Sequence, residues 1–443
     1  PEPHSGVFCS MSEAVKVTLK RVIDWSKVDG SNFRCNIKYQ FDGSGGHSLY
    51  KNASVETNNI ILSMFCILQI WCGEEMIFEQ DLPNSAFNQR PVMLQMGKES
   101  NTQLQAQALF NQDMKMMRER GINMAEGVNV KVFVVATSVD RKASNLYLGT
   151  GGSYCDLCMC SKDSCQSVHR VESGFVIDRD VESMNQIFET LYDEESGSIK
   201  KAPNDYNIRA GQTFKPIPET PTVPVQVLHC LLRGFDHWIK TCVHSIAGVE
   251  DWSEGKFELH SKFLVAAKSQ LQEKILKETQ EKWDFVDSTG QGGSTTTGNC
   301  ARALLFVEKN RDIITGEILN QELREKCRHY GQKLSDIIRT VSSGRKIKVL
   351  EYKQACTDLN IFLLEELPWV SITPTIHKLL AHTWELIELN NGYGLKSWSE
   401  EGLEANNATL RLIRERLSRK FNELVNLEDC FRRLWVGSDP QVS

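Results

Sequence analysis

A mixed α+β fold is what this sequence predicts, with strands in the first third and helices through most of the remainder. Three observations predict it. Residues 36–42, "NIKYQFD", alternate apolar Ile37, Tyr39 and Phe41 with polar Asn36, Lys38 and Gln40, the period of a half-buried strand. The runs at 58–72 and 129–140 are dense in Ile, Val, Leu and Phe, the composition of buried strands. From Val225 to about Leu389 the pattern turns nearly all helical.

Taken in order, residues 10–26 read as a helix carrying Val15, Val17, Leu19, Val22 and Ile23. A strand at 34–42 closes on Asp42, followed by a Gly-Ser-Gly-Gly turn. A second strand covers 58–72. "EEMIFEQDL", after the turn at Gly73, reads as a third, and "RPVMLQM" (90–96) as a short strand or connector. A polar amphipathic helix at 100–119 stops at Gly121. The β-branched run "NVKVFVVATSVD" closes on a second acid, Asp140. After the leading helix this gives β-β-β-α-β, the element order of an RNase H-like core, with acids at the ends of its first and last strands.

Four segments follow from this reading: a pre-core helical segment (1–33), the core (34–148), a mainly helical insertion (149–390), and a C-terminal helical segment with a basic tail (391–443). Within the insertion, a Gly/Cys-rich stretch precedes a helix near 178–193. A loop then runs to Pro224, and a Gly/Thr break falls at 287–299.

Composition bounds the function. Of 443 residues, 41% are hydrophobic and 24% charged, values of a soluble globular chain. The longest apolar run, Ile60 to Trp71, is too short to span a bilayer, and the start has no signal-peptide pattern. The chain does not begin with Met, so an N-terminal DNA-binding region is expected to be missing. A net charge of −6 does not by itself suggest a nucleic-acid protein, because local patches make phosphate contacts. The 14 cysteines mostly stand singly, several in apolar runs, which fits reduced thiols in an intracellular compartment.

Two constellations carry chemistry. Cys155 and Cys158 form a C-x2-C knuckle, half of a tetrahedral zinc site. His377 and His382, spaced H-x4-H, can supply the other half across a helix end and complete a closed Cys2His2 site. An unligated loop cluster and capped or core histidines are the competing readings. Cys160 and Cys165 read as substitute ligands or free thiols. The acids form the second constellation. Two-metal phosphodiester chemistry needs about three carboxylates around ions roughly 3.5–4 Å apart. Asp42 and Asp140 suit the strand positions. "SWSEEGLEANNATLRLIRERLSRKF" offers Glu400, Glu401 and Glu404 near a helix start, followed by Arg411, Arg414, Arg416, Arg419 and Lys420. Such a helix can hold metal at one end and phosphates along its flank. An ordinary solvated helix, acidic first and basic last, is the competing reading.

These pieces, in order, resemble a known family. "FDGSG" at the first strand end, "SVD" before the C-x2-C, "LHC" at 228–230, "GNCAR" at 298–302, "HKLLAH" at 377–382 and "WSEEGLE" at 398–404 are similar to the catalytic core of Transib transposases. The same group includes ProtoRAG transposases and the recombination-activating recombinase that assembles antigen-receptor genes. The stretch "QGGSTTTGN" looks closer to the transposon relatives. The resemblance implies an RNase H-like DDE core interrupted by a helical zinc-binding insertion. It implies Asp42, Asp140 and Glu404 as the catalytic acids around two Mg²⁺ or Mn²⁺, and Cys155, Cys158, His377 and His382 around one structural Zn²⁺. The implied reaction nicks DNA at a terminal inverted repeat, forms a hairpin on the flanking DNA by transesterification, and joins the excised end to target DNA. Asn299 and Arg302 are expected near a phosphate, with Thr295 to Thr297 beside them. Trp398 is read either as stacking on a flipped base or as a packed core residue, and Arg411 and Arg414 as DNA contacts. A homodimer in the nucleus is expected, with no membrane association, and an accessory subunit is left open. The alternatives are a RAG-like recombinase needing that subunit, a domesticated DNA-binding derivative, and a simple hydrolytic nuclease, which gives the insertion no role.

Overall fold

The computed structural model describes residues 6–28, 32–44, 59–97, 110, 112–139, 155, 157–158, 160, 164–175, 177, 186, 189–193, 195–196, 198–199, 226–250, 257–283 and 296–442. The chain divides into two compact units. The first draws on Pro1–Gly152, Arg179–Gln226 and Ser397–Ser443, the second on Ser153–Asp178 and Val227–Lys396. The expected helix at 178–193, the loop after it and the Gly/Thr break lie largely outside the described residues.

In the first unit, strands β1 (Gly6–Phe8), β2 (Phe33–Ser44), β3 (Ile60–Cys72), β4 (Glu75–Glu79), β5 (Arg90–Met96), β6 (Ile122–Ala125) and β7 (Val128–Val139) form one sheet. Its order is β1-β5-β3-β2-β7-β6, with β4 attached to β3. β2 runs antiparallel to β3 and parallel to β7. Side chains of a strand alternate between faces, and β3 uses both. Ile61, Phe65 and Ile67 enter one apolar cluster with Leu19 of helix α1 (Met11–Val22) and Met114 and Met117 of helix α2 (112–119). Ile60, Leu62 and Met64 enter another, with Leu403, Leu410, Leu427 and Leu434 from the C-terminal segment. The sheet is thus covered by helices on both faces. The expected pre-core segment does not stand apart, since β1 pairs with β5 and α1 packs on the sheet.

The expected third strand is present but short. β4 ends at Glu79 and pairs only with the far end of β3, Gln69–Cys72. "RPVMLQM", read as a short strand or connector, is the fully buried β5, which pairs with Ile60–Phe65. β3 is 13 residues long and serves both partners, one along each half. Pro91 gives no ladder N–H, and the register shifts between Ser63 and Met64 where Met64 pairs with Pro91.

The second unit is helical. It contains α3 (Val168–Ser173), α4 (Val227–Ala247), α5 (Phe257–Thr279), α6 (Gly298–Phe306), α7 (Glu308–Thr315), α8 (Gln321–Val341), α9 (Val349–Glu366), α10 (Pro374–Ala381) and α11 (Thr383–Leu389). Helices α4 and α8 approach closely because a Cβ on Gly331 would come within 2.6 Å of the Trp238 indole. That indole donates to the Cys327 carbonyl at 2.9 Å.

His237 on α4 is buried between Tyr330 and the Ser371 carbonyl. Its Nε2–H donates to Ser371 O at 2.9 Å, so Nδ1 accepts from the Tyr330 hydroxyl at 2.6 Å. Burial pulls its pKa down to about 4. The neutral ring therefore contributes stability that is complete above the ordinary His value of about 6.5 and is lost as pH falls from there toward 4. At most about 3 kcal/mol is involved. Thermal melts across this window should show the parent losing stability faster than His237→Gln, and parallel curves would refute the assignment.

Candidate active site and metal centre

In the first unit, Asp42 stands at the end of β2. Phe41 pairs with Val139 in the parallel register, so the residue before each expected strand acid is matched with the other. Asp140 itself lies outside the described residues. Glu404 sits in the first turn of α12 (Glu401–Leu412). Three residues on, and on the same helix face, Asn407 donates through Nδ2 to Asp42 Oδ2 at 2.9 Å. One hydrogen bond thus joins the first-strand acid to the helix carrying the last.

The start of α12 is held to the sheet by buried polar groups. Lys38 Nζ and Gln40 Nε2 donate to the Ser399 carbonyl at 2.9 and 3.0 Å. Ser138 Oγ on β7 donates to the Trp398 carbonyl at 2.6 Å. Lys38 also donates to Asn84 Oδ1 at 2.7 Å. Burial lowers the Lys38 pKa to about 8, while Cys66, Glu400 and Glu401 pull it back up. Gly402 lets α12 approach Gln89, whose amide would lie 2.7 Å from an added Cβ. Asn406 Nδ2 donates to the Ala86 carbonyl at 3.0 Å, holding the helix from the side. The donors at Asp42 and Glu404 are carboxylate oxygens, the chemistry that Mg²⁺ and Mn²⁺ take.

Two residues expected to touch DNA are placed otherwise. Trp398 is buried, at 4% exposure, as the packed-core reading had it. Arg414 is buried too, and its Nε donates to Asn426 Oδ1 at 3.1 Å. Arg414 follows buried Asn406 and Leu410 at four-residue steps, so it continues the face that α12 buries, at the start of a π-helical turn at Ile413–Leu417. Arg411, before that turn, is exposed. Arg419, after it, is bound to Asp429 by hydrogen bonds of 3.0 and 2.9 Å. Helix α13 (Glu423–Gly437) supplies both Asn426 and Asp429.

In the second unit, Cys155, Cys158, His377 and His382 converge. Their ligand atoms lie within 4.8 Å of one another and all four residues are buried. Cys158 Sγ lies 3.3 Å from His377 Nε2. Thr373 caps α10, with Pro374 in its first turn, and His382 stands where α10 passes into α11. His382 Nδ1 bonds Glu385 Oε2 at 2.9 Å, which leaves its buried Nε2 with no hydrogen-bond partner. A histidine held through one nitrogen by a carboxylate, with the other facing thiols, is the arrangement of a metal ligand. Glu385 Oε1 also accepts from the Ile177 amide at 3.1 Å. Burial raises the Cys155 pKa, Cys158 adds to the rise, and the neighbouring His377 and His382 imidazoles oppose it. This cluster can hold a metal ion, and two thiolates with two imidazoles fit Zn²⁺. Cys160 and Cys165 lie with His377 in a second such group, their sulfurs 2.7 Å apart.

Asn299 and Arg302 lie in the first turns of α6, one exposed and one half-buried, after the Thr297 cap. Sequence reasoning missed Asn407, the Lys38–Gln40–Ser138 contacts and Glu385. Only Glu385 had a readable signal, its place three residues after His382.

The sheet with helices on both faces, the strand-end acid joined to the Glu404 helix, and the Cys/His cluster in a separate helical unit define an RNase H-like protein with a large helical region. Residues 35–153 match the family model described as the Recombination-activation protein 1 (RAG1) RNase H domain. This match supports a RAG1/Transib-like transposase or recombinase. Among solved structures, the Drosophila P element transposase strand transfer complex is similar at a TM-score of 0.41 and 11% identity, covering 93% of this chain and 80% of that one. No curated protein matches the sequence. No described helix is long and apolar enough to cross a membrane.

Proposed function

We propose that this chain is the catalytic core of a cut-and-paste DNA transposase, acting in the nucleus as a homodimer that pairs two element ends. It binds terminal inverted repeats, nicks one strand, forms a hairpin on the flanking DNA by attack of the freed 3′-hydroxyl, and joins the element end to target DNA. Asp42, Asp140 and Glu404 would hold two Mg²⁺ or Mn²⁺ ions. When bound, those ions would activate the attacking oxygen and neutralise the leaving one. Asn407 fixes the orientation of the Asp42 carboxylate, and the contacts of Lys38, Gln40 and Ser138 fix the helix that presents Glu404. Cys155, Cys158, His377 and His382 would hold one structural Zn²⁺.

The observation that carries this reading is the Asn407–Asp42 hydrogen bond, in a chain whose residues 35–153 match the RAG1 RNase H domain. Transposase ends come in pairs, and two chains give one active site to each. Incubating the protein with inverted-repeat duplexes and Mg²⁺ or Mn²⁺ should yield nicks, hairpins and joined products. Tight binding without any cleavage would favour a domesticated DNA-binding derivative. Products that form only with a second subunit would favour the RAG-like recombinase.

A further inference from the structure

The second unit carries an open cleft of about 890 Å³ whose walls are strongly cationic. Lys333, Arg339, Arg345, Lys346, Lys348 and Lys396 line it, and all six are exposed. Two acids face them. Glu351 is occupied by Lys348 at 2.8 Å, and Asp336 is the other. Among the described residues no acid forms an ion pair with Arg345 or Lys346. This concentration of positive charge occurs in a chain whose net charge is −6.

The cations are mounted on ordered backbone. Lys346 bridges Tyr393, the Ile347 amide donates to the Gly392 carbonyl at 2.8 Å, and the Gly394 amide donates to the Arg345 carbonyl at 3.0 Å. Gly394 is required there, because an added Cβ would lie 2.1 Å from the Ser343 carbonyl. Lys333 and Arg339 stand on one rigid helix, about 9 Å apart along its axis. The N-terminus of α9 also opens at Lys348, which forms no side-chain cap, and adds positive potential. The lining aromatic, Tyr352, is buried with its hydroxyl on Thr383, so no ring is offered for base stacking.

We infer that this cleft binds the phosphate backbone of duplex DNA, independently of base sequence. Cations spaced along about 9 Å face two to three successive phosphates of one strand. The absence of an exposed ring in the lining favours backbone over bases. The inference rests on the DNA-transposase reading and adds a contact surface to it.

The test measures duplex affinity of the whole chain against salt concentration. Three proteins are compared: the parent, the triple variant Arg345→Gln/Lys346→Gln/Lys348→Gln, and a control with Lys131→Gln, Lys277→Gln and Lys309→Gln, exposed lysines elsewhere. The cleft variant should bind about tenfold or more weakly, with the log–log salt slope reduced by about 2 to 3, and the control should keep the parent slope. Acetylation of Lys346, read by mass spectrometry on the parent, should fall when duplex is added, which needs no variant to fold. A cleft variant with the parent slope and affinity overturns the inference. So does an equal loss in the control, or Lys346 protection by tripolyphosphate but not by duplex. If the parent cleaves DNA while the cleft variant binds normally, the cleft fails and the transposase reading stands. If the slope falls but no end is ever cleaved, the cleft stands and the transposase reading fails. A parent that binds no duplex overturns both.

Discussion

Asp42→Asn abolishes strand cleavage while leaving duplex binding within about twofold of the parent. The loss expected in single-turnover nicking is on the order of a thousand-fold or more, equivalent to about 4 kcal/mol of barrier. Glu404→Gln behaves alike, because both carboxylates belong to one constellation and remove the same charge from it. The amide in either variant keeps the shape and a hydrogen-bond acceptor, so the melting temperature stays near that of the parent. Asn407→Ala gives a smaller loss, since it frees the Asp42 carboxylate to rotate without removing it. Nicking assays on inverted-repeat duplexes measure all three. Robust nicking by Asp42→Asn would remove this residue from the chemistry.

The second large effect concerns the Cys/His cluster. The purified chain should carry one equivalent of zinc at this cluster, and Cys158→Ser should lose it. Removing the ion leaves the buried donors of Cys155, Cys158, His377 and His382 without the cation they face. Structural zinc contributes on the order of 10 kcal/mol in small domains, so chelation should markedly lower the melting temperature of the helical unit. Glu385→Gln, which weakens the hold on His382, should reduce zinc affinity roughly 10- to 100-fold without abolishing binding. Elemental analysis and melting with and without chelator decide this. Full zinc content in Cys158→Ser would overturn the assignment.

Much of the sheet was legible because its strands are long and strongly patterned. The alternation in 36–42 and the β-branched run at 129–139 each became a strand with little adjustment. Both "EEMIFEQDL" and "RPVMLQM" hold strands, as read, but their places in the sheet were not legible. Only the pairing shows that the first is a hairpin on the far half of β3. The Cys155–Cys158 pair was legible as half a site from its spacing, whereas joining it to His382 and to His377, 219 residues beyond Cys158, rested on the family resemblance. The burial of Arg414 was not. A basic residue in a helical stripe reads as solvent-facing, yet Arg414 lies four residues after buried Leu410, on the face that the helix buries. Asn407 escaped for a similar reason, because its partner Asp42 lies 365 residues away and amides carry no positional signal.

The grip on the start of α12 has an asymmetry with evolutionary reach. Lys38, Gln40 and Ser138 seize main-chain oxygens at positions 398 and 399, atoms that every amino acid possesses. As far as this grip is concerned, drift at 398 and 399 leaves the third acid in register, whereas drift at any of the three donors does not. Selection on catalysis would therefore register at polar positions inside the strands, far along the chain from the acid they serve.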